Sequence, residues 1–333
     1  MTQPSWKQLV AAYQQPRTAS AVWQLVNSVG SYLVLWGVMG WAVTVSWWLA
    51  LPLAVLAGCL LVRVFIIFHD CGHGSFFASK RANDFWGLVT GVLTFTPYDH
   101  WRGKHAVHHG TTGNLDKRGV GDVWTMTVRE YEASGWWRRL SYRFMRNPIV
   151  LLGVIPLLMF LVEHRVPNRR SNAREQRSVW VTTFSVVAMG AVASLLIGFL
   201  PYLILQLVIL AIAGAIGVWL FYSQHQFDEA YWQRNEEWDF EEAAIRGSAF
   251  LRLPRVLQWF TGNIGYHHIH HLNSRIPNYN LQGCHDSHPA FQGVKPLTLW
   301  GSLRAFSLKL WDEASGELIR FRDLARIRNR SFA

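Results

Sequence analysis

The stretch that decides the fold is residues 51–73, with the sequence LPLAVLAGCLLVRVFIIFHDCGH. Residues 51–68 are apolar or small apart from Arg63, and a helix needs roughly 20 such residues to cross the hydrocarbon core of a bilayer. The run continues directly into His69 and His73, whose four-residue spacing places both on one face of a helix. The sequence therefore predicts a membrane-spanning helix that carries two imidazoles at one end.

Three other runs are predicted to span the membrane, at residues 31–48, 179–199 and 201–222. The breaks near residues 47–52 and 198–201 are short and carry no charge. We therefore predict an all-α integral membrane protein with four transmembrane helices in two hairpins. The alternative is a soluble protein with buried helices, but soluble domains seldom contain two uninterrupted apolar hairpins of this length.

Two further apolar runs, residues 85–97 and 148–162, are too short to span. If either run crossed the membrane, it would place histidine clusters on opposite sides, so we interpret both as interfacial or re-entrant. The segment from Lys309 onward mixes charged residues and leucine at helical spacing. We expect this segment to lie on the cytoplasmic surface or to cap the site.

Charge predicts the orientation of the chain. The formal net charge is +11, and basic residues crowd positions 80–146, the loop 165–177 and the segment after Tyr222. The predicted hairpin tips have none. The positive-inside rule then places both termini and all the histidine clusters in the cytoplasm, within a helical cap made of residues 69–178 and 223–333. The apolar spans indicate that the basic charge serves a membrane and not a nucleic acid.

Two further histidine clusters have the spacing H-x-x-H-H. Their members are His105, His108 and His109, and His267, His270 and His271. Positions i, i+3 and i+4 of a helix lie on neighbouring parts of its surface, so each cluster presents several imidazoles in one general direction. Together with His69 and His73 they make eight, too many for one ion, which suggests two metals.

A ninth candidate ligand is His225, which follows the fourth predicted span as His69 follows the second. His268 points away from the shared face of the third cluster, so we expect it to support a ligand or to lie on the polar surface. The other histidines are expected to stay away from the metal. They are His100, His164, His285 and His288.

Neutral imidazole binds iron, copper and zinc. An all-imidazole set around two ions suits iron for oxygen activation, whereas zinc usually takes four ligands, although spacing alone leaves zinc and copper open. The only three cysteines, Cys59, Cys71 and Cys284, are scattered, which argues against iron–sulfur chemistry and a disulfide framework. Ligating histidines commonly donate their other N–H to a carboxylate or carbonyl. The candidates, of which about half are expected to fail, are Asp70, Asp99, Asp116, Asp122, Asp228 and Asn263.

These motifs resemble the three histidine boxes of the membrane fatty acid desaturases. The matching stretches are His69-Asp70-Cys71-Gly72-His73-Gly74-Ser75-Phe76-Phe77, then Lys104-His105-Ala106-Val107-His108-His109, and Gly262-Asn263-Ile264-Gly265-Tyr266-His267-His268-Ile269-His270-His271-Leu272 followed by Arg275-Ile276-Pro277-Asn278-Tyr279. The extended third box is most similar to the bacterial and plant acyl-lipid branch, which includes the omega-6 (delta-12) enzymes. The resemblance covers about residues 32–279.

The resemblance implies a single desaturase domain over residues 1–333, with two iron ions bound by the nine histidines in a bacterial inner membrane. It implies O2-dependent insertion of a cis double bond into a lipid-linked acyl chain. It also implies that a histidine upstream of the third box is a ligand, a place that His225 matches. No His-Pro-Gly-Gly motif of a fused haem domain occurs, so the expected electron donor is a separate ferredoxin or b-type haem protein.

Two other functions are compatible with parts of this pattern. The same scaffold could carry a hydroxylase or ketolase that acts on acyl, alkane or carotenoid substrates, although the segment after the third box favours desaturation. A metal transporter or a metal-stabilised membrane protein is the second. Transport calls for polar residues along the spans, and these spans contain few.

Overall fold

The computed structural model describes residues 6–168 and 171–330, so Arg169 and Arg170 of the basic loop lie outside the described residues. The helices in chain order are α1 Trp6–Ala11, α2 Thr18–Leu25, α3 Ser31–Val45, α4 Trp47–His73, α5 Lys80–Leu93, α6 Tyr98–Thr111, α7 Val128–Ala133, α8 Trp136–Met145, α9 Ile155–Leu161, α10 Ala173–Ile197, α11 Phe199–His225, α12 Phe240–Arg246, α13 Arg255–Phe260, α14 His267–Leu272, α15 Asn278–Asp286, α16 Pro289–Gln292, α17 Leu299–Ala305 and α18 Leu324–Arg330. Wider π-helical turns occupy Val26–Gly30 and Val150–Val154, and 3-10 turns occupy Glu163–Arg165 and Phe321–Asp323.

Four helices of the described chain are long and apolar enough to cross a membrane: Thr18–Val45, Trp47–His73, Ala173–Ile197 and Phe199–His225. The prediction of a mainly helical protein with four such segments is confirmed. The first segment starts earlier than residue 31 because α2, a π-helical turn and α3 form one continuous helix.

The first break lies at Ser46, one residue before the predicted interval. The Ser46 hydroxyl accepts a hydrogen bond from the backbone N of Trp48 at 3.2 Å and so caps α4. Pro52, which the sequence pattern places in the break, lies inside α4. The second break is Gly198, whose φ of 91° is a conformation that glycine tolerates best.

Helix α4 lies at the centre of the helical bundle and packs against α3, α5 and α11. Gly58 permits the close approach of α11, because a Cβ there would lie 2.7 Å from the Ile212 side chain. The buried Arg63 on α4 donates to the Ser28 hydroxyl at 3.0 Å, and its guanidinium lies 4.1 Å from the ring centroid of Trp259. A hydrogen bond and an aromatic ring therefore stabilise this guanidinium inside the protein, where an ionisable group in a span needs partners.

The two short apolar runs have different structures. The first forms α5, which packs on α4 and α10 and is not among the span candidates. The second belongs to Val150–Arg165, which follows α8 at an angle of 64° and would add a fifth span only if the bent pair were one crossing. The interfacial interpretation of this second run stays a prediction.

Short strands depart from the all-α prediction. They are β1 Met126–Thr127, β2 Phe250–Leu251, β3 Pro296–Leu297, β4 Leu310–Asp312 and β5 Glu317–Ile319, in one sheet of order β1-β4-β5 and a second of β2 and β3. The helical interpretation of the tail is thus wrong for residues 310–319. Leu310 and Ile319 enter one apolar cluster, whereas Trp311 and Leu318 enter another. This alternation is the period of a strand, not of a helix.

Candidate metal centre

Nine histidines from four helices come together in two groups. The first group is His69, His73, His105, His109 and His270, and the second is His108, His225, His267 and His271. Within each group one ring nitrogen of every member lies within 4.8 Å of those of all the others. These nine are the residues singled out in the sequence, and they come from α4, α6, α11 and α14.

Each H-x-x-H-H cluster is divided between the two groups. On α6, His105 and His109 belong to the first group and His108 to the second, while α14 contributes His270 to the first group and its other two cluster histidines to the second. Successive helical residues are about 100° apart, so i+3 and i+4 point to opposite sides of i. One turn of helix can therefore serve two neighbouring ions, a division that the shared-face argument did not anticipate.

The nitrogen atoms are spaced as ligands of one ion would be. The Nε2 atom of His267 lies 3.0 Å from that of His225 and 3.1 Å from that of His271. In the first group, His109 Nε2 lies 3.2 Å from His105 Nε2 and 3.0 Å from His270 Nε2. Ligands at right angles, about 2.1 Å from a metal, are separated by about 3.0 Å.

Hydrogen bonds among the rings cannot account for this crowding. His225 Nδ1 donates to the Gly247 carbonyl at 3.1 Å, so the neutral ring presents a bare lone pair on Nε2. His267 Nε2 meets two other Nε2 atoms, but one N–H can serve only one acceptor well. Within the described chain, the buried Nε2 atoms of His73 and His108 have no hydrogen-bond partner. The donor set thus fits a bound cation in each group.

Two carboxylates orient two of these rings. His69 Nδ1 donates to Asp70 Oδ1 at 2.9 Å, and His108 Nδ1 donates to Asp122 Oδ1 at 2.7 Å. Such a bond fixes the tautomer and the direction of the ring. The other four candidates make no such bond to a histidine in the described residues, namely Asp99, Asp116, Asp228 and Asn263. The prediction is therefore wrong for more than half of the six.

Burial keeps five of the cap histidines neutral. Desolvation, and after it the neighbouring imidazoles, hold the pKa values of these rings well below the ordinary 6.5. The rings with this shift on α6 and α14 are His105, His109, His267, His270 and His271. Neutral imidazole is the form that binds metal, so these rings need not lose a proton to act as ligands at neutral pH.

A small cavity of about 10 Å³ adjoins the second group, and Thr112, Asp122 and His225 are among its lining residues. That volume is about the space of one water molecule. Asp122 Oδ2 is buried and has no hydrogen-bond partner among the described residues. The cavity therefore offers a place for one water beside the second group.

Two supporting residues were not predicted from the sequence. Asn278 donates to Asp70 through its backbone N at 2.6 Å and its Nδ2 at 2.8 Å, and the only signal was its position just after the third box. The Trp101 ring stacks on His105 with centroids 4.2 Å apart, and its spacing of four residues could have indicated this contact.

The remaining histidines lie outside both groups among the described residues, as expected. His268 is not on the surface, however. It is 1 % exposed, and its Nε2 lies 3.2 Å from Nδ1 of His285. The His268–His285 pair packs beside Phe250.

Comparison with known proteins supports the same conclusion as the motifs. The family described as fatty acid desaturase matches residues 46–300. A fatty acid desaturase of Bacillus subtilis (strain 168) is 42% identical over 318 residues, which cover 96% of this chain and 90% of that protein. Two proteins of Synechocystis sp. are each 27% identical: an sn-1 acyl-lipid omega-3 desaturase (ferredoxin), covering 76% of this chain and 69% of the relative, and an sn-1 oleoyl-lipid 12-desaturase, covering 81% and 76%. This chain therefore belongs to the fatty acid desaturase family, and it is an oxidoreductase with a histidine-rich site that could hold metal.

Proposed function

We propose that the protein is an O2-dependent acyl-lipid desaturase that introduces a cis double bond into a lipid-linked acyl chain at a di-iron centre. The observation that carries this proposal is the pair of ion-sized histidine groups, which lie where α4 and α11 end. Family membership supports the reaction type. The names of the two cyanobacterial relatives support a lipid-linked substrate.

The first group would hold one iron and the second group the other. Once bound, iron would supply the activation of O2 and the removal of one hydrogen atom from each of two adjacent methylenes, while two electrons and two protons complete the reduction of O2 to two waters. The protein supplies position and environment. Asp70 and Asp122 fix the orientation of the His69 and His108 rings. The Gly247 carbonyl fixes the tautomer of His225.

The substrate has to be positioned by shape, because the reacting carbons carry no polar group that the protein could bind. A shift of one methylene would change the product, so a precisely shaped acyl site is required. We place the acyl chain among apolar residues at the cytoplasmic ends of the spans, below the two groups.

The proposed topology has two hairpins, α2–α3 with α4 and α10 with α11, in a bacterial inner membrane. Both termini and the cap of residues 69–178 and 223–333 then lie in the cytoplasm, and the chain forms one domain. The charge distribution supports this orientation. An electron donor would reach the groups from the cytoplasm, and a ferredoxin or a b-type haem protein has the required one-electron chemistry.

Expression in a host that lacks the activity tests the proposal. Gas chromatography with mass spectrometry of the host fatty acids should detect a new cis-unsaturated acid. The His270→Asn variant should reach the membrane and give no product, whereas the matched variant His288→Asn, outside both groups, should be active. An alcohol or ketone in place of an alkene would favour the hydroxylase or ketolase, and an active His270→Asn variant would refute the ligand assignment.

A further inference from the structure

Helix α8 carries its apolar side chains on the outside. Trp136, Trp137, Leu140 and Phe144 are 64 %, 65 %, 49 % and 59 % exposed. Spacings of three and four residues place these side chains on one side of the helix. A helix on a water-soluble surface buries such a face, so this surface requires an apolar partner.

On the opposite side of α8, Tyr142 is buried against the cap. The Tyr142 hydroxyl accepts from the backbone N of Met126 at 3.1 Å. At the edge of the apolar face, Arg143 Nε donates to the Tyr131 hydroxyl at 2.6 Å. Just beyond the helix, the buried Arg146 donates to Gln226 Oε1 at 2.9 Å and to the Leu308 carbonyl at 3.1 Å. These bonds fix the rotation of α8, so its apolar face cannot turn inward.

The exposed apolar surface continues into the segment that packs on a span. Ile149 is 80 % exposed and Leu158 is 56 % exposed. On its other side this segment contacts α11 so closely that a Cβ at Gly214 would lie 2.5 Å from Pro156. The apolar face of α8 is therefore continuous with the exposed apolar side of the segment that packs on the span α11.

Charge near this face identifies the kind of lipid surface. Residues 128–145 contain four arginines and two glutamates, a formal net charge of +2. The rings of Trp136 and Trp137 are stacked with centroids 3.9 Å apart, and tryptophan is enriched at membrane–water interfaces. Basic residues beside an inserted aromatic face favour anionic headgroups.

We propose that α8 lies flat in the membrane interface, with Trp136, Trp137, Leu140 and Phe144 inserted below the headgroups of an anionic lipid surface. It is an in-plane anchor and not half of a fifth span. Its inner face is bonded to β1 and to the residues that flank β4, and an open strand edge has no place in hydrocarbon. Through Arg146 and Gln226, the residue after His225, the anchor fixes the height of the second histidine group above the bilayer.

Spin labels in lipid nanodiscs test the proposal independently of activity. Single cysteines at Leu140→Cys and Phe144→Cys are compared with Glu236→Cys, an exposed acidic loop position. Each labelling cysteine is introduced into the Cys59→Ala protein, so that the partly exposed native thiol does not take up label. Cys71 and Cys284 are buried and can stay. In nanodiscs of phosphatidylglycerol, power saturation should place the first two labels about 5–10 Å below the phosphates, more accessible to O2 than to a water-soluble nickel chelate. The label at position 236 should show the reverse.

Three outcomes would overturn the in-plane anchor: labels at 140 and 144 exposed to the nickel chelate, labels at the bilayer midplane, or labels shielded from both reagents by protein. Nanodiscs of phosphatidylcholine test the lipid preference, and an equal depth in both lipids would overturn it. The Trp136→Ser/Trp137→Ser variant provides a second measurement. Without its anchoring rings, the Leu140→Cys label should move toward water.

Discussion

Asp70 and Asn278 are joined by two hydrogen bonds, with the Asn278 backbone N at 2.6 Å and its Nδ2 at 2.8 Å from Asp70 Oδ2. The other oxygen of Asp70 accepts from His69 at 2.9 Å. All three residues are buried. The segment after the third histidine box therefore fixes a ring of the first box, which explains how boxes about 200 residues apart in sequence hold one site.

The Asp70→Asn variant tests this link. The amide would weaken the bond to His69 and bring its own donors against those of Asn278, so we expect iron affinity in the first group to fall about 10–100-fold. Iron titration of the purified protein would measure the loss. Asp116→Asn is the matched control, because Asp116 is exposed and bonded to Arg234, and it should bind iron normally. An unchanged affinity in Asp70→Asn would show that Asp70 does not orient the ring.

The Asp122→Asn variant should affect the second group instead. Asp122 accepts a hydrogen bond from His108 at 2.7 Å. We therefore expect the iron affinity of the second group, and not of the first, to fall about 10–100-fold. Limiting iron should then load about one ion per chain in either variant, with different spectroscopic signatures. Identical spectra for the partly loaded Asp70→Asn and Asp122→Asn proteins would contradict the separation into two groups.

Acid should destabilise the iron-free protein. The folded state keeps His105, His109, His267, His270 and His271 neutral because their pKa values lie below the ordinary value. The unfolded chain takes up protons near pH 6.5. Stability is therefore fully present above about pH 6.5 and falls as the pH drops below it. The thermal unfolding midpoint in detergent would measure this. A midpoint that stays constant from about pH 7 to 5 would contradict the assignment of buried neutral rings.

The topology predicts opposite labelling of tips and cap. Trp48→Cys and Leu200→Cys, near the two helix breaks, should react with an impermeant maleimide added to intact spheroplasts. Lys117→Cys, an exposed cap position, should react only after lysis. Labelling of Lys117→Cys in intact cells would invert the proposed orientation.

The sequence predicted the parts of the structure that depend on local periodicity. Apolar length identified the four segments. Histidine spacing identified eight members of the two groups, and the end of the fourth span identified the ninth, His225. The division of His108 from His105 was not predictable, because it depends on how α6 is rotated against α4 and α11. Asp122 could not be separated from Asp116 for the same reason, since both lie in the loop after α6 and only tertiary packing brings one of them to a ring.

The strands at 310–312 and 317–319 were missed because charged residues between short apolar pairs also fit a helix. The two-residue alternation of these strands becomes visible only in the folded protein, where the two faces of the β4–β5 hairpin pack into different apolar clusters. Burial of His268 was missed because its partner, His285, lies 17 residues away in α15. Residue spacing along the sequence therefore does not predict which separate elements pack against each other.

Metal analysis of the purified full-length protein tests the central claim most directly. The account predicts about two irons per chain, falling to about one or none in His270→Asn and unchanged in His288→Asn. A single zinc per chain, or two irons retained when His270 is replaced, would contradict it.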